Sequence, residues 1–197
     1  EPESERMSRP LILASASPRR RELLEQLGHP FTVQVADVVE NEDPATDPRE
    51  MVSHNAALKA GWVSERFPEA LVLGADTTVF VEGRALNKPG SLAEARAMLQ
   101  GLSGRTHWVF TGLSLRCQQT GLQLDAGATS EVTFRPLDEQ TIDRYLSRVH
   151  VFDKAGGYAI QEHGDMIVAG FQGEMSTIVG LPLSLTKQLL TQAGLVA

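Results

Sequence analysis

The segment Leu71-Val-Leu-Gly-Ala-Asp-Thr-Thr-Val-Phe-Val81 is the most apolar stretch of the chain, and it carries one carboxylate, Asp76, at its middle. Its length and its β-branched residues predict a buried strand, and Glu82-Gly83 after it predicts a hairpin. A buried strand obliges the chain to build a sheet and to cover it. It also leaves Asp76 to be explained. A charge amid apolar residues is costly unless it is paired, placed at a strand end or bound to a cation. Gly74 leaves room for close approach of backbone or ligand. The plainer alternative is a strand-end carboxylate that meets solvent or caps a turn.

Start and stop signals place the other elements. Leu11 to Ala14 reads as a buried strand, followed by Ser17-Pro18 as a helix cap and first helical residue, with Leu23, Leu24 and Leu27 on one face and Gly28 closing the helix. Phe31 to Ala36 predicts a second strand, and Asp37 to Thr46 an acidic loop. Asp47-Pro-Arg-Glu50 starts a helix running to about Arg66, and Ser91-Leu-Ala-Glu94 is a capping box for one running to Leu102. Trp108–Arg116 and Leu122–Val132 alternate as an antiparallel pair joined through Gly121. Asp138 caps a helix to about Ser147, with Leu137 and Ile142 as a hydrophobic staple, and a last helix spans Ser184 to Ala193. The first half alternates strands and helices and the second is β-rich. We therefore expect an α/β fold, a mixed sheet flanked by helices, in one unit over residues 8–197. Residues 1–7, ending at Met7, read as an N-terminal extension outside it.

Composition closes off several classes. With 42% hydrophobic and 22% charged residues among 197, the chain has an ordinary globular balance. No apolar stretch approaches the roughly 20 residues that cross a bilayer. The first residues, Glu1-Pro-Glu-Ser-Glu-Arg, hold no apolar signal core, so a cytoplasmic protein without a membrane partner is expected. A formal charge of −7 argues against a nucleic-acid partner, which would need a basic stripe. Cys117 is the single cysteine, so no internal disulfide or thiolate cluster forms, and the five histidines lack zinc-site spacing.

Against that acidic background, the basic cluster Arg19-Arg20-Arg21 stands out. In Ser15-Ala-Ser-Pro-Arg-Arg20 a strand end meets a helix N-terminus, where free N–H groups and the dipole favour an anion. Ser15 and Ser17 add donors, and Arg19 and Arg20 add forked cations suited to phosphate oxygens. The alternative is a solvated first turn whose arginines pair with Glu22 or Glu25. Lys59, Lys88 and the acidic loop with Glu40 and Glu42 are, each taken alone, ordinary surface charges. In Phe152-Asp-Lys-Ala-Gly-Gly-Tyr-Ala-Ile-Gln161 the paired glycines predict a tight backbone that wraps a ligand or merely bends. Gln161 either bonds a base edge or is an ordinary polar strand residue.

Taken together and in order, these pieces resemble the Maf family of nucleoside triphosphate pyrophosphatases from about Leu11 to Leu190, including Gly180-Leu-Pro-Leu183. The resemblance implies two lobes around a central cleft, and hydrolysis of dTTP or UTP to a nucleoside monophosphate and pyrophosphate. It implies Asp76 as the catalytic carboxylate, with Glu40 helping to bind a divalent cation, Mg²⁺ or Mn²⁺, or to activate water. Ser15, Ser17, Arg19, Arg20, Lys59 and Lys88 match phosphate-holding positions. Arg19, Thr77 and Gln161 match the three positions that separate a dTTP/UTP branch from a 7-methyl-GTP branch. Many relatives have adjacent acidic residues where this chain has Val39-Glu40, so either Glu40 or Glu42 faces the metal. A homodimer is a further implication of the family.

That inventory suits metal-assisted attack of water on the α-phosphorus, with hard oxygen ligands and no need of histidine or cysteine. There is no G-x-x-x-x-G-K-[ST] loop, which sets the P-loop NTPases aside. Two other classes share part of the inventory. One is a nucleotide-binding regulator, for example of cell division, with little turnover. The other is a nucleotidyltransferase, which would need an acceptor pocket. A carboxylate set beside phosphate-binding groups favours the hydrolase over a pure binder.

Overall fold

A computed structural model describes residues 9–195, so the extension expected at residues 1–7 lies outside the described residues. Seven strands form one mixed sheet: β1 (Leu11–Leu13), β2 (Phe31–Val33), β3 (Leu71–Val81), β4 (Arg84–Leu86), β5 (Thr106–Cys117), β6 (Leu122–Phe134) and β7 (Val168–Gln172). The order is β2-β1-β3-β5-β6-β7, with β4 paired to β3. β1 runs parallel to β2 and β3, while β3, β5, β6 and β7 pair antiparallel in sequence. Among the described residues six α-helices accompany them: α1 (Pro18–Glu25), α2 (Pro48–Arg66), α3 (Leu92–Leu102), α4 (Glu139–Arg148), α5 (Met175–Val179) and α6 (Leu183–Gln192).

The caps form as the sequence indicates. Ser17 accepts from the Arg20 N–H, Asp47 from Arg49 and Glu50, Ser91 from Glu94, and Asp138 from Thr141. The capping box of α3 is shifted by one residue: the Glu94 carboxylate accepts from the Gly90 N–H, 2.5 Å away. β2 is shorter than Phe31–Ala36 because its partner β1 ends at Leu13, opposite Val33. β7 and α5 carried no periodic signal, being five residues each.

Two of the four buried apolar clusters lie along the cleft face of the sheet. One joins Leu11, Leu13, Leu71, Leu73, Leu113 and Leu115 with α1 and α6, and the other joins Val79, Val109, Val132 and Phe134 with α3 and α4. Between them the sheet face is left uncovered over Thr77, and this opening is the cleft. The opposite face carries α2, whose Ala56 and Ala60 press on β3 at Gly74. A Cβ there would stand inside contact distance of the Ala56 carbonyl oxygen, so the room left by Gly74 is taken by backbone.

The long edge of β3 away from β5 is only partly paired. β1 pairs with β3 only at residues 71–73, and β4 pairs with it only at residues 79–81. Residues 74–78 therefore have no strand partner on that edge. Asp76 and Thr77 sit in this gap, flanked by the turn that leaves β1 and by the segment that leaves β4. No helix among the described residues is long and apolar enough to cross a membrane.

Candidate active site

Three segments converge on the gap. The turn after β1 supplies Ser15 and Ser17, α1 supplies Arg19 and Arg20, and the segment after β4 supplies Lys88. With Asp76, Thr77, Tyr158 and Gln161, most of these line a cavity of about 430 Å³. That size falls within the range of small-ligand sites.

The two serines act as acceptors within the fold. Ser15 Oγ accepts from the Ser17 N–H at 3.2 Å and from Arg20 Nη1 at 3.3 Å, and Ser17 Oγ accepts from the Arg20 N–H at 3.3 Å. Their hydroxyl protons remain to donate, which is what an anion requires. Arg20 is anchored further by Nε to the Gly180 carbonyl at 2.7 Å and by Nη2 to Thr77 Oγ1 at 2.9 Å. Three of its five N–H donors are thus spent on the fold. Burial pulls the Arg20 guanidinium below its ordinary value, against the opposing pull of Asp76. The surface pairing considered for this cluster is realised by Arg21, whose Nε lies 3.6 Å from Glu25. Arg19 instead lines the cavity.

On the other side of Asp76 stands α2. Asn55 Nδ2 donates to Asp76 Oδ2 at 3.2 Å, and Lys59 Nζ lies 3.5 Å from Asp76 Oδ1 and 2.7 Å from Glu40 Oε1. The Asp76 side chain keeps 19% exposure, so it is a paired carboxylate open to the cleft and not one turned wholly to solvent. Burial raises the Glu40 carboxyl, but the hydrogen bond and charge of Lys59, with Lys88 and Arg20, outweigh it and leave Glu40 below the usual carboxylate range.

Glu40 turns inward because its loop is clamped. The Asn55 amide accepts from the Asn41 N–H and donates to the Asn41 carbonyl, both at 2.8 Å, in the manner of a peptide pair. Val39 correspondingly points outward and is 93% exposed. Asn87 Nδ2 donates to the Glu42 carbonyl at 2.7 Å, tying the same loop to the segment after β4. Glu40 thus meets Lys59, while Glu42 is exposed. Sequence reasoning missed Asn55, although it stands four residues before Lys59 and therefore on the same helix face.

The far wall is the segment after α4. Gly156 takes a φ of +77° and packs against Val79, where a Cβ would crowd the valine side chain; the paired glycines are a required tight turn. Lys154, buried to 5% exposure, donates to the His150 carbonyl and lies 3.0 Å from Asp153 and 3.4 Å from Glu162. These contacts stiffen the segment that presents Gln161, itself exposed at the cavity. Tyr158 closes the base of this wall, its hydroxyl 2.6 Å from His107 Nε2.

Among the described residues no group of three or more histidine, cysteine or acidic side chains gathers to hold a metal by itself. Two carboxylates, Glu40 and Asp76, do lie at one corner, each against Lys59. Such a pair suits a hard cation that takes its remaining ligands from water and phosphate oxygens.

Fold and site together define an α/β protein with a donor-rich, cationic cleft beside a carboxylate pair. The fold is shared with the Ham1 protein of Staphylococcus aureus, at a TM-score of 0.51 and 13% identity over 94% of this chain and all of that one. The sequence matches the model of the Maf-like protein family over residues 10–193, and the chain belongs to that family. Similar relatives include the dTTP/UTP pyrophosphatase of Akkermansia muciniphila, 46% identical over 94% of this chain and 97% of that one. The dTTP/UTP pyrophosphatase of Symbiobacterium thermophilum is 47% identical over 93% of this chain and 94% of that one.

Proposed function

We propose that this chain hydrolyses dTTP and UTP between the α- and β-phosphates, releasing a nucleoside monophosphate and pyrophosphate. The observation that carries the reading is Asp76 in the unpaired gap of β3, with Lys59 and Glu40 on one side and the Ser15, Ser17 and Arg20 turn on the other. The names of relatives at 44–47% identity over nearly the whole chain support the substrate class.

In this reading Asp76 orients a water molecule and accepts its proton as the water attacks the α-phosphorus. Glu40 assists from the same corner. Lys59 holds the two carboxylates at a workable separation and keeps a further N–H for a phosphate oxygen. The hydroxyls of Ser15 and Ser17, the spare N–H groups of Arg20, Lys88 and Arg19 offset the charge that accumulates on pyrophosphate as it leaves. Arg19, Thr77 and Gln161 flank the base and sugar. Glu40 and Asp76 would hold Mg²⁺ or Mn²⁺, which would supply electrostatic stabilisation and help to acidify water. A cytoplasmic setting fits both this substrate and a single reduced, buried Cys117.

The test is product analysis on a panel of nucleoside triphosphates with Mg²⁺ or Mn²⁺. Pyrophosphate should appear with the monophosphate from dTTP and UTP, and excess chelator should abolish turnover. Orthophosphate as the first product would overturn the α–β assignment, and binding without turnover would favour a regulator.

A further inference from the structure

Thr111 belongs to no motif and does not line the cavity, yet it stands at the centre of the hydrogen bonds beneath it. It lies on β5 directly opposite Thr77 of β3 and is fully buried. Its Oγ1 lies 2.9 Å from the Thr177 carbonyl oxygen and 2.8 Å from Thr77 Oγ1. A carbonyl can only accept, so the single hydroxyl proton of Thr111 goes to Thr177. Thr77 must then donate its own proton to Thr111. That leaves the Thr77 oxygen as an acceptor, and Arg20 Nη2 meets it at 2.9 Å. The proton order runs one way, from Arg20 through Thr77 and Thr111 to the carbonyl of Thr177.

The chain of bonds also closes on itself. Arg20 Nε caps the Gly180 carbonyl while Thr111 caps that of Thr177, so both hold the last turn of the short helix α5, whose end carbonyls have no helical partner. Ile178 and Val179 of that turn line the cavity. One buried hydroxyl therefore fixes the orientation of Thr77, one of the three anchors of the Arg20 guanidinium, and the apolar wall.

We propose that Thr111 is a positioning residue for the pyrophosphohydrolase reaction: by taking the Thr77 proton, it fixes Thr77 as an acceptor and so holds Arg20 toward the phosphates. The inference rests on the reaction proposed above. Without Thr111 the Thr77 proton is free to rotate toward Arg20, where donor would face donor, and the guanidinium loses that anchor.

The test is a double-mutant cycle with Thr111→Val, Thr111→Ser, Thr77→Val and the Thr77→Val/Thr111→Val pair, reading kcat/KM for dTTP and UTP and the Kd for dTTP by calorimetry in chelator. Thr111→Val should lower kcat/KM roughly tenfold, the size of one lost buried hydrogen bond, and Thr111→Ser should recover most of it. In the Thr77→Val background the same change should cost less than about twofold, because residues in one network are not additive. Equal losses in both backgrounds would reduce Thr111 to a structural role and overturn the proposal, as would a wild-type value for Thr111→Val. Should the wild type release no pyrophosphate, the reaction fails, and the four Kd values still decide whether Thr111 acts through Thr77. A wild type that neither binds nor cleaves dTTP overturns both.

Discussion

The Lys59 ammonium sits 2.7 Å from a Glu40 carboxylate oxygen, with an oxygen of Asp76 only 3.5 Å away on its other side. Two carboxylates that would repel are thereby held at one corner of the cleft, and the charge and hydrogen bond of Lys59 work against the burial that would raise Glu40. Replacing Lys59 by Met keeps the stem and removes the charge. Burial then acts with less opposition, so Glu40 takes up its proton at higher pH. We expect kcat/KM to fall, and its acidic limb to move to higher pH than in the wild type. A pH–rate profile of the two proteins measures this; an unmoved limb would assign Lys59 to the phosphates alone.

The two sides of Asp76 differ in what its substitution disturbs. Asp76→Asn leaves an oxygen for Asn55 Nδ2 and leaves Lys59 with Glu40, so the variant should fold. Loss of the proton acceptor should cost about a hundredfold to ten-thousandfold in turnover. Glu40→Gln should also fall well below the wild type, whereas Glu42→Gln should stay within a few-fold because Glu42 is exposed. Pyrophosphate release by the three variants, beside their melting curves, is the measurement. A normal rate in folded Asp76→Asn would leave Asp76 a structural role only.

Much of this was legible in the sequence because it is local. Caps at Ser17, Asp47, Ser91 and Asp138 are written in four consecutive residues, and the β3 and β5/β6 patterns extend over whole strands. What was not legible depends on where strands stop. The gap at residues 74–78 arises because β1 ends at Leu13, opposite Leu73, and β4 ends at Leu86, opposite Val79, which no residue type announces. Which of Glu40 and Glu42 turns inward was not legible for a related reason: the loop turns Val39 outward and the Glu40 carboxylate toward Lys59, and the clamp responsible is Asn55. Thr111 sits in an ordinary strand pattern, and only the register with Thr77 reveals its role.

Gly74 links stability to the site. A methyl group there meets the Ala56 carbonyl and the Ala60 side chain, and neither can yield without moving α2. Overpacking of this kind typically costs about 1–3 kcal/mol, occasionally more. Because α2 carries Asn55 and Lys59, Gly74→Ala should lower both the melting temperature and the activity of the fraction that stays folded. Denaturant titration and kcat/KM on the soluble protein would show it. Wild-type activity in a destabilised Gly74→Ala would mean that α2 yields without carrying Lys59 away from Asp76.

His107 predicts an acid sensitivity that is independent of catalysis. Its ring is fully buried, Nε2 meets the Tyr158 hydroxyl, Nδ1 has no partner, and burial lowers its pKa to about 4. An unfolded histidine titrates near 6.5, so between roughly 6.5 and 4 the unfolded chain binds a proton that the folded chain does not. Stability from this group is complete above that window and falls as pH drops through it, by up to about 1.4 kcal/mol per pH unit. Urea titrations at pH 7, 6 and 5 should show the decline, and His107→Gln should flatten it whatever its own starting stability. An equal decline in both proteins would move the acid sensitivity elsewhere.

Arg19, Thr77 and Gln161 line one cavity although they lie far apart in sequence, and they are not equivalent there. Gln161 is exposed and Arg19 half-buried, and neither is a bonded part of the fold as Thr77 is. A neutral amide at position 161 donates and accepts, which suits the mixed edge of thymine or uracil. A carboxylate there only accepts, which suits the N–H groups and positive charge of 7-methylguanine, and Trp at position 19 would offer that cationic base a stacking face. The pair Arg19→Trp and Gln161→Glu should therefore shift preference from dTTP and UTP toward 7-methyl-GTP, by roughly tenfold to a hundredfold for each good contact exchanged. Adding Thr77→Gln should behave differently. It removes the acceptor that holds Arg20 and the proton given to Thr111, so turnover of every triphosphate should fall along with any further shift in preference. Kinetics of the wild type, the double and the triple variant on the three nucleotides separate these effects. An unchanged order of preference in a folded double variant would show that these two side chains do not read the base, and a triple variant as fast as the double would remove Thr77 from the support of Arg20.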